Sequence, residues 1–276
     1  MNLMAQGTER YWYKRLKVSN IQTKQIIPLE YRWNIKDAIK VLTTYMVFTF
    51  AGMPILISFI QTVFGFEIQT ASPSFRTMIL FVSFLANLLI CLYICYIVRF
   101  EYGQSIVNLG LTLVNIADNI KIGLKRYLVT IPVIMLAGFI INAVFSYYGI
   151  MPEIQDVVQW VLAEDSAIVL ACLIFFGIIV APIMEEIIFR GFLVPALKSY
   201  FGIRYAIFIS AAVFAAVHMD MFAFLQIFIL GVLLGYLYEK TQSLAASIVV
   251  HILHNSLTLA LLMYFKFFMD SKVPVF

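Results

Sequence analysis

Apolar residues run along this chain in long blocks, with polar residues gathered between them. The blocks are Val41–Phe64, Thr77–Val98, Tyr127–Tyr147, Ala167–Phe189, Tyr205–Met219, Phe222–Tyr238 and Ala245–Phe265. A membrane-spanning helix needs about 20 mostly apolar residues, so the pattern predicts about seven transmembrane helices. The fifth and sixth blocks are short and meet around Asp220, which predicts a tight hairpin whose turn does not fully leave the membrane. Pro54, Pro132 and Pro182 fall inside blocks. Breaks there are tolerated in lipid where neighbours satisfy the freed backbone groups. The expected fold class is all-α, a polytopic membrane helical bundle. It divides into a basic N-terminal tail (1–40), N-terminal helices with an interfacial segment (41–166), a core (167–265) and a short C-terminal tail (266–276).

Composition agrees with lipid as the solvent. Hydrophobic residues make up 63% and charged residues 12%, with a mean hydropathy of +0.95. A soluble domain is nearer half apolar and a quarter charged. The three cysteines, Cys91, Cys95 and Cys172, lie in apolar blocks without ligand spacing and predict neither a disulfide framework nor a metal motif. The first forty residues lack the apolar core and cleavage site of a signal peptide. They interleave Arg10, Lys14, Arg15 and Lys17 with Tyr11, Trp12 and Tyr13. Such a segment suits an anionic membrane face, and no nucleic acid is expected as a partner.

Charge distribution predicts orientation. All of the 19 Lys and Arg residues except Arg76, Lys266 and Lys272 fall in one alternate set of loops. Lys and Arg favour the cytoplasmic side, which gives an N-in, C-out arrangement. The stretch Ile150–Asp165 has no basic residue but carries Glu153, Asp156, Glu164 and Asp165, as suits the outer face. The stretch Asn108–Arg126, with Lys121, Lys125 and Arg126, reads as a cytoplasmic headgroup anchor.

Three polar motifs interrupt the apolar blocks of the last third: Glu185-Glu186-Ile187-Ile188-Phe189-Arg190, Phe214-Ala215-Ala216-Val217-His218 and His251-Ile252-Leu253-His254-Asn255. They contain every histidine of the chain. Ionisable groups in lipid are costly and rare, and therefore point to function. Residues four apart share a helix face, so Glu186 pairs with Arg190. Glu185 lies about 100° round from Glu186 and is left free as a general base. The plainer alternative is a pair of solvated carboxylates at a helix end. His218 shares a face with Phe214, whose ring would wall the imidazole from lipid, and simple packing is the competing reading. His251 and Asn255 share a face with Ser247 and offer two hydrogen-bonding groups at one point, as an oxyanion requires. His254 either borders the same cavity or serves as polar glue between helices.

Depth tests whether the motifs can meet. At 1.5 Å per residue, His218 lies roughly 21 Å beyond Arg204, and His251 roughly 16 Å beyond Lys240. Glu185 lies only about 8 Å from Arg190, but roughly 20 Å in if its helix continues to Lys198. That continuation, with Arg190 buried, is the self-consistent expectation.

EExxxR, FxxxH and HxxxN on separate helices, with Thr241-Gln242-Ser243-Leu244 leading into the last, resemble the CPBP (Abi) family of CAAX-protease and bacteriocin-processing membrane endopeptidases. The resemblance covers about residues 167–262. It implies a helical membrane peptidase in which Glu185 and His218 activate water, His251 and Asn255 stabilise the oxyanion, and Glu186 and Arg190 support the site. Two chemistries stand. Glutamate-activated water without a cofactor is favoured. The other is zinc held by Glu185, His218 and His251, although HExxH is missing. The implied partners are the bilayer and a membrane-associated protein or peptide substrate, and the implied location is a prokaryotic plasma membrane. A non-proteolytic immunity or regulatory protein on the same scaffold is the alternative. A proton-relaying transporter is disfavoured because no inverted repeat is visible.

Overall fold

The computed structural model describes residues 33–65, 71–150 and 155–268. Most of the basic tail, Glu153 and Lys272 lie outside the described residues. Among the described residues the secondary structure is helical and contains no strand. The long helices are α1 (Ile35–Phe64), α2 (Pro73–Glu101), α3 (Ile116–Tyr147), α5 (Ala167–Ala216), α6 (Phe224–Thr241) and α7 (Leu244–Phe268), all long and apolar enough to cross a membrane. A short helix, α4 (Asp156–Ala163), precedes α5. The chain is thus a multi-pass membrane helical bundle.

Helix α5 is fifty residues long, far more than the 30 Å hydrocarbon core requires. It is not straight. Gly202 holds φ 76° and ψ 164° inside it, a backbone that only glycine adopts readily. The rings of Phe189 and Phe214 lie 5.2 Å apart, whereas a straight helix would separate these residues by about 37 Å. The Ser210 hydroxyl also donates to the Phe189 carbonyl, at 3.3 Å. The helix therefore folds back at Gly202 into two arms, 167–201 and 203–216, which carry the expected blocks 167–189 and 205–219. The first arm continues through Lys198. The second is about 21 Å long, too short to cross the hydrocarbon by itself. Asp220 closes the hairpin to α6: its Oδ1 accepts from the backbone N–H groups of Phe222 (2.8 Å) and Ala223 (3.0 Å). Helix α6 packs tightly on the second arm at Gly231, where a Cβ would meet the Ala211 Cβ at 3.0 Å.

Two helices begin earlier than hydropathy predicts. Helix α1 starts at Ile35 because Asn34 caps it, its side chain accepting from the N–H groups of Lys36 and Asp37. Trp33 before it is buried, stacks on Phe192 at 5.5 Å and donates its indole N–H to the Phe192 carbonyl at 2.9 Å. Helix α3 starts at Ile116, eleven residues before the expected Tyr127. The polar segment 116–126 is helical without being apolar, and Asp118 lies in its first turn.

Two prolines leave a common signature. Residues 48–52 before Pro54 and 176–180 before Pro182 take π-type hydrogen bonding. Proline lacks a donor and clashes with the carbonyl four residues earlier, and the wider turn relieves that clash. Each wide turn also leaves a carbonyl five residues before the proline without a helical donor: Thr49 for Pro54 and Gly177 for Pro182. Pro132 lies within α3 without a π stretch.

Side chains that sequence places on the outer face meet. Arg76 Nη2 donates to Glu164 Oε1 at 2.9 Å, and Lys266 Nζ reaches the carbonyls of Leu162 (2.6 Å) and Glu164 (2.9 Å). The start of α2, the end of α7 and the 162–164 turn are thereby tied together.

Candidate active site

The EExxxR motif sits where α5 changes register, with Glu186–Leu193 in a second π stretch. Such stretches occur frequently at functional sites. Glu186 and Arg190 are buried, at 0% and 1% exposure. Arg190 Nη1 donates to Glu186 Oε1 at 2.8 Å, and Nη2 donates to the Gly231 carbonyl at 3.3 Å. Its guanidinium also lies 4.3 Å from the Phe214 ring centroid. A charge this deep is stable only when paired and hydrogen-bonded, and both requirements are met here.

His251 joins this pair from α7. Its Nδ1 lies 3.0 Å from Glu186 Oε1. A carboxylate only accepts, so Nδ1 carries the proton. That bond fixes the ring and turns Nε2 toward Glu185, whose Oε2 lies 3.6 Å away. Glu186 thus orients both Arg190 and His251, while Glu185 has no arginine partner. The two adjacent glutamates are separated in role as their angular offset predicts.

Glu185 also lines a cavity of about 200 Å³ between α1, α2 and α5. Tyr45 and Thr49 come from α1, and Ser83 and Asn87 from α2. Each pair is four apart and shares a helix face. The spacing was there to be read, but not the convergence of three helices on Glu185.

Phe214 holds the motifs together. Its ring makes edge contacts with His218 at 4.8 Å and His251 at 5.6 Å, besides covering Arg190. His218 sits in the exposed turn after the second arm, and its Nδ1 donates to the Phe214 carbonyl at 2.7 Å. Its Nε2 is therefore the free acceptor. The Phe214 ring, rather than a direct hydrogen bond, relates His218 to His251.

Asn255 is one turn beyond His251, and its Nδ2 donates to the Gly177 carbonyl at 3.0 Å. This is the carbonyl that Pro182 leaves without a helical donor. One amide N–H is therefore engaged, and the second N–H and Oδ1 remain. His254 turns away: its Nδ1 meets the Tyr127 hydroxyl at 3.0 Å on α3. Ser247 is buried and donates to its own helix at Leu244. Among the described residues no three His, Cys, Asp or Glu side chains group so as to hold a metal ion. Glu185 and His251 approach each other, and His218 does not complete a trio.

Residues 167–257 match the family model described as type II CAAX prenyl endopeptidase Rce1-like. The chain is also 34% identical over 131 residues, 44% of its length, to a Bacillus subtilis protein named "Putative membrane peptidase YdiL". That match spans about half of the relative, 52% of its length. No solved structure matches the chain. All three motifs lie inside the matched segment, and the helical core that carries them belongs to the CPBP family, as an Rce1-like domain.

Proposed function

We propose that this protein is an intramembrane endopeptidase that hydrolyses a peptide bond in a membrane-associated protein or peptide. The observation that carries the reading is the freedom of Glu185. It has no arginine partner, it faces the Nε2 of an oriented imidazole at 3.6 Å, and it lines a cavity with polar walls.

In this reading Glu185, aided by His218, takes a proton from water as the water oxygen attacks the scissile carbonyl carbon. The carbonyl π pair moves onto oxygen. His251, protonated on both nitrogens between Glu185 and Glu186, donates from Nε2 to that oxyanion, and Asn255 adds its second amide N–H. Collapse of the tetrahedral intermediate breaks the C–N bond, and the proton held on Glu185 passes to the leaving nitrogen. Oriented donors of this kind supply the largest share of such catalysis, and a positioned base adds about 10²–10⁴-fold. No metal is required by this sequence of steps.

The Rce1-like description and the YdiL name speak for a peptidase. The substrate classes they leave are a prenylated CAAX protein and a bacterial leader or signalling peptide, met at a prokaryotic plasma membrane. Comparative peptidomics of cells carrying the intact protein and Glu185→Ala tests the activity. A processed product that disappears in the variant supports it, and identical peptidomes reject it.

A further inference from the structure

The cavity beside Glu185 has a composition that an apolar membrane interior does not require. Helix α2 is strongly apolar, yet its face toward the cavity carries Ser83 and Asn87 one turn apart. Asn87 Nδ2 donates back to the Ser83 carbonyl at 2.9 Å, which leaves Oδ1 and a second N–H. Helix α1 presents Tyr45 and Thr49, and Pro54 has removed the helical donor of the Thr49 carbonyl. Glu185 stands on the opposite wall. The walls therefore offer neutral donors and acceptors and a single carboxylate.

From this we propose that the cavity is a specificity subsite for one uncharged, hydrogen-bonding residue of the substrate next to the scissile bond, with Ser83 and Asn87 reading it. The inference rests on the peptidase reading above. Volume limits the occupant. About 200 Å³ holds roughly six waters at 30 Å³ each, or one side chain of Ser, Thr, Asn or Gln size with its backbone. Charge limits it further. An acidic residue meets Glu185 as a like charge, and a basic one occupies the proposed base. A purely hydrocarbon occupant displaces water and leaves the polar walls without partners, which is unfavourable. Sites built to hydrogen-bond a substrate group discriminate strongly against analogues lacking it.

The test uses the purified full chain in nanodiscs and a library of synthetic peptides varied at the positions flanking one scissile bond. Wild type should prefer Thr, Ser, Asn or Gln over Leu at one flanking position, by about tenfold or more in kcat/KM. Ser83→Ala/Asn87→Leu should collapse or invert that preference while still cleaving Leu peptides. An unchanged preference overturns the proposal. A second measurement does not depend on turnover. Ser83→Cys in Glu185→Gln, with Cys91, Cys95 and Cys172 replaced by alanine, is labelled with a charged, water-soluble thiol reagent. Protection by Thr peptides but not by Leu peptides supports the subsite. Equal protection, or none, overturns it. Selective protection together with a wild type that cleaves nothing rejects the peptidase reading and leaves the subsite standing.

Discussion

Asn255 on α7 donates its side-chain amide to the carbonyl of Gly177 on α5, at 3.0 Å. The acceptor exists because of a third residue. In the π turn before Pro182, Ala181 N–H bonds the Phe176 carbonyl. The next donor in the series would be residue 182, which has none. A backbone carbonyl without a partner in apolar surroundings is costly, and a polar side chain from another helix meets the need. Asn255 thus ties the motif of α7 to the helix that carries Glu185, and does so with only one of its two amide protons.

A double-mutant cycle reads this relationship. Asn255→Ala should lower detergent thermal stability, at about 1–3 kcal/mol for an unsatisfied buried group. Pro182→Ala restores a potential donor for Gly177, so Asn255→Ala should cost less in that background. The coupling should lie in the range of about 0.5–3 kcal/mol found for residues in one network. Additive effects on melting would show that Asn255 does not serve the carbonyl vacated by Pro182.

The parts legible from sequence are those fixed within one helix. Spacing of four gives the Glu186–Arg190 pair, and the angular offset of one residue frees Glu185. Helix depth gives the continuation of the first arm past Lys198. Contacts between helices were not legible in the same way. The Asn255–Gly177 bond depends on a backbone defect in another helix, and the His254–Tyr127 bond takes that imidazole to α3. Hydropathy also mislocates the start of α3, because segment 116–126 is helical and polar together. Phe214 was read as a lid on His218 alone, whereas it contacts Arg190 and His251 as well.

The two glutamates should fail differently. Glu185→Gln should leave a folded protein with peptidase activity reduced by about 10²–10⁴-fold, as removal of a positioned base does. Glu186→Gln weakens the partner of a buried arginine and the orienting acceptor of His251. It should destabilise the fold by about 3–5 kcal/mol. Melting and turnover of both purified variants decide the matter. An active Glu185→Gln enzyme would mean that another group activates water.

Topology hinges on the second arm of α5. At about 21 Å it is short for a span, and the two termini face opposite sides only if that arm and α6 together cross and return. The basic bias predicts that they do. Cysteines placed at Gln6 and Ser271, both outside the described residues, should be labelled from opposite sides of a sealed vesicle. Labelling from one side would place the error at the Asp220 hairpin.

The metal question has the clearest outcome. If Glu185 and His218 activate water unaided, activity survives exhaustive chelation and the purified protein carries less than one equivalent of zinc. The geometry that motivates this is the disposition of the candidate ligands. Glu185 Oε2 and His251 Nε2 approach to 3.6 Å. Zinc would require both, together with His218, at about 2.0–2.2 Å from one point. His218 is in the exposed turn after the second arm, and its Nδ1 is already given to the Phe214 carbonyl. Moving its free Nε2 into a shared coordination sphere would mean rebuilding the turn that ends at Asp220. One tightly held equivalent of zinc, lost together with activity and restored with it, would show that the turn does rearrange. His218 and His251 would then be ligands, and the water-activating role would pass to the ion.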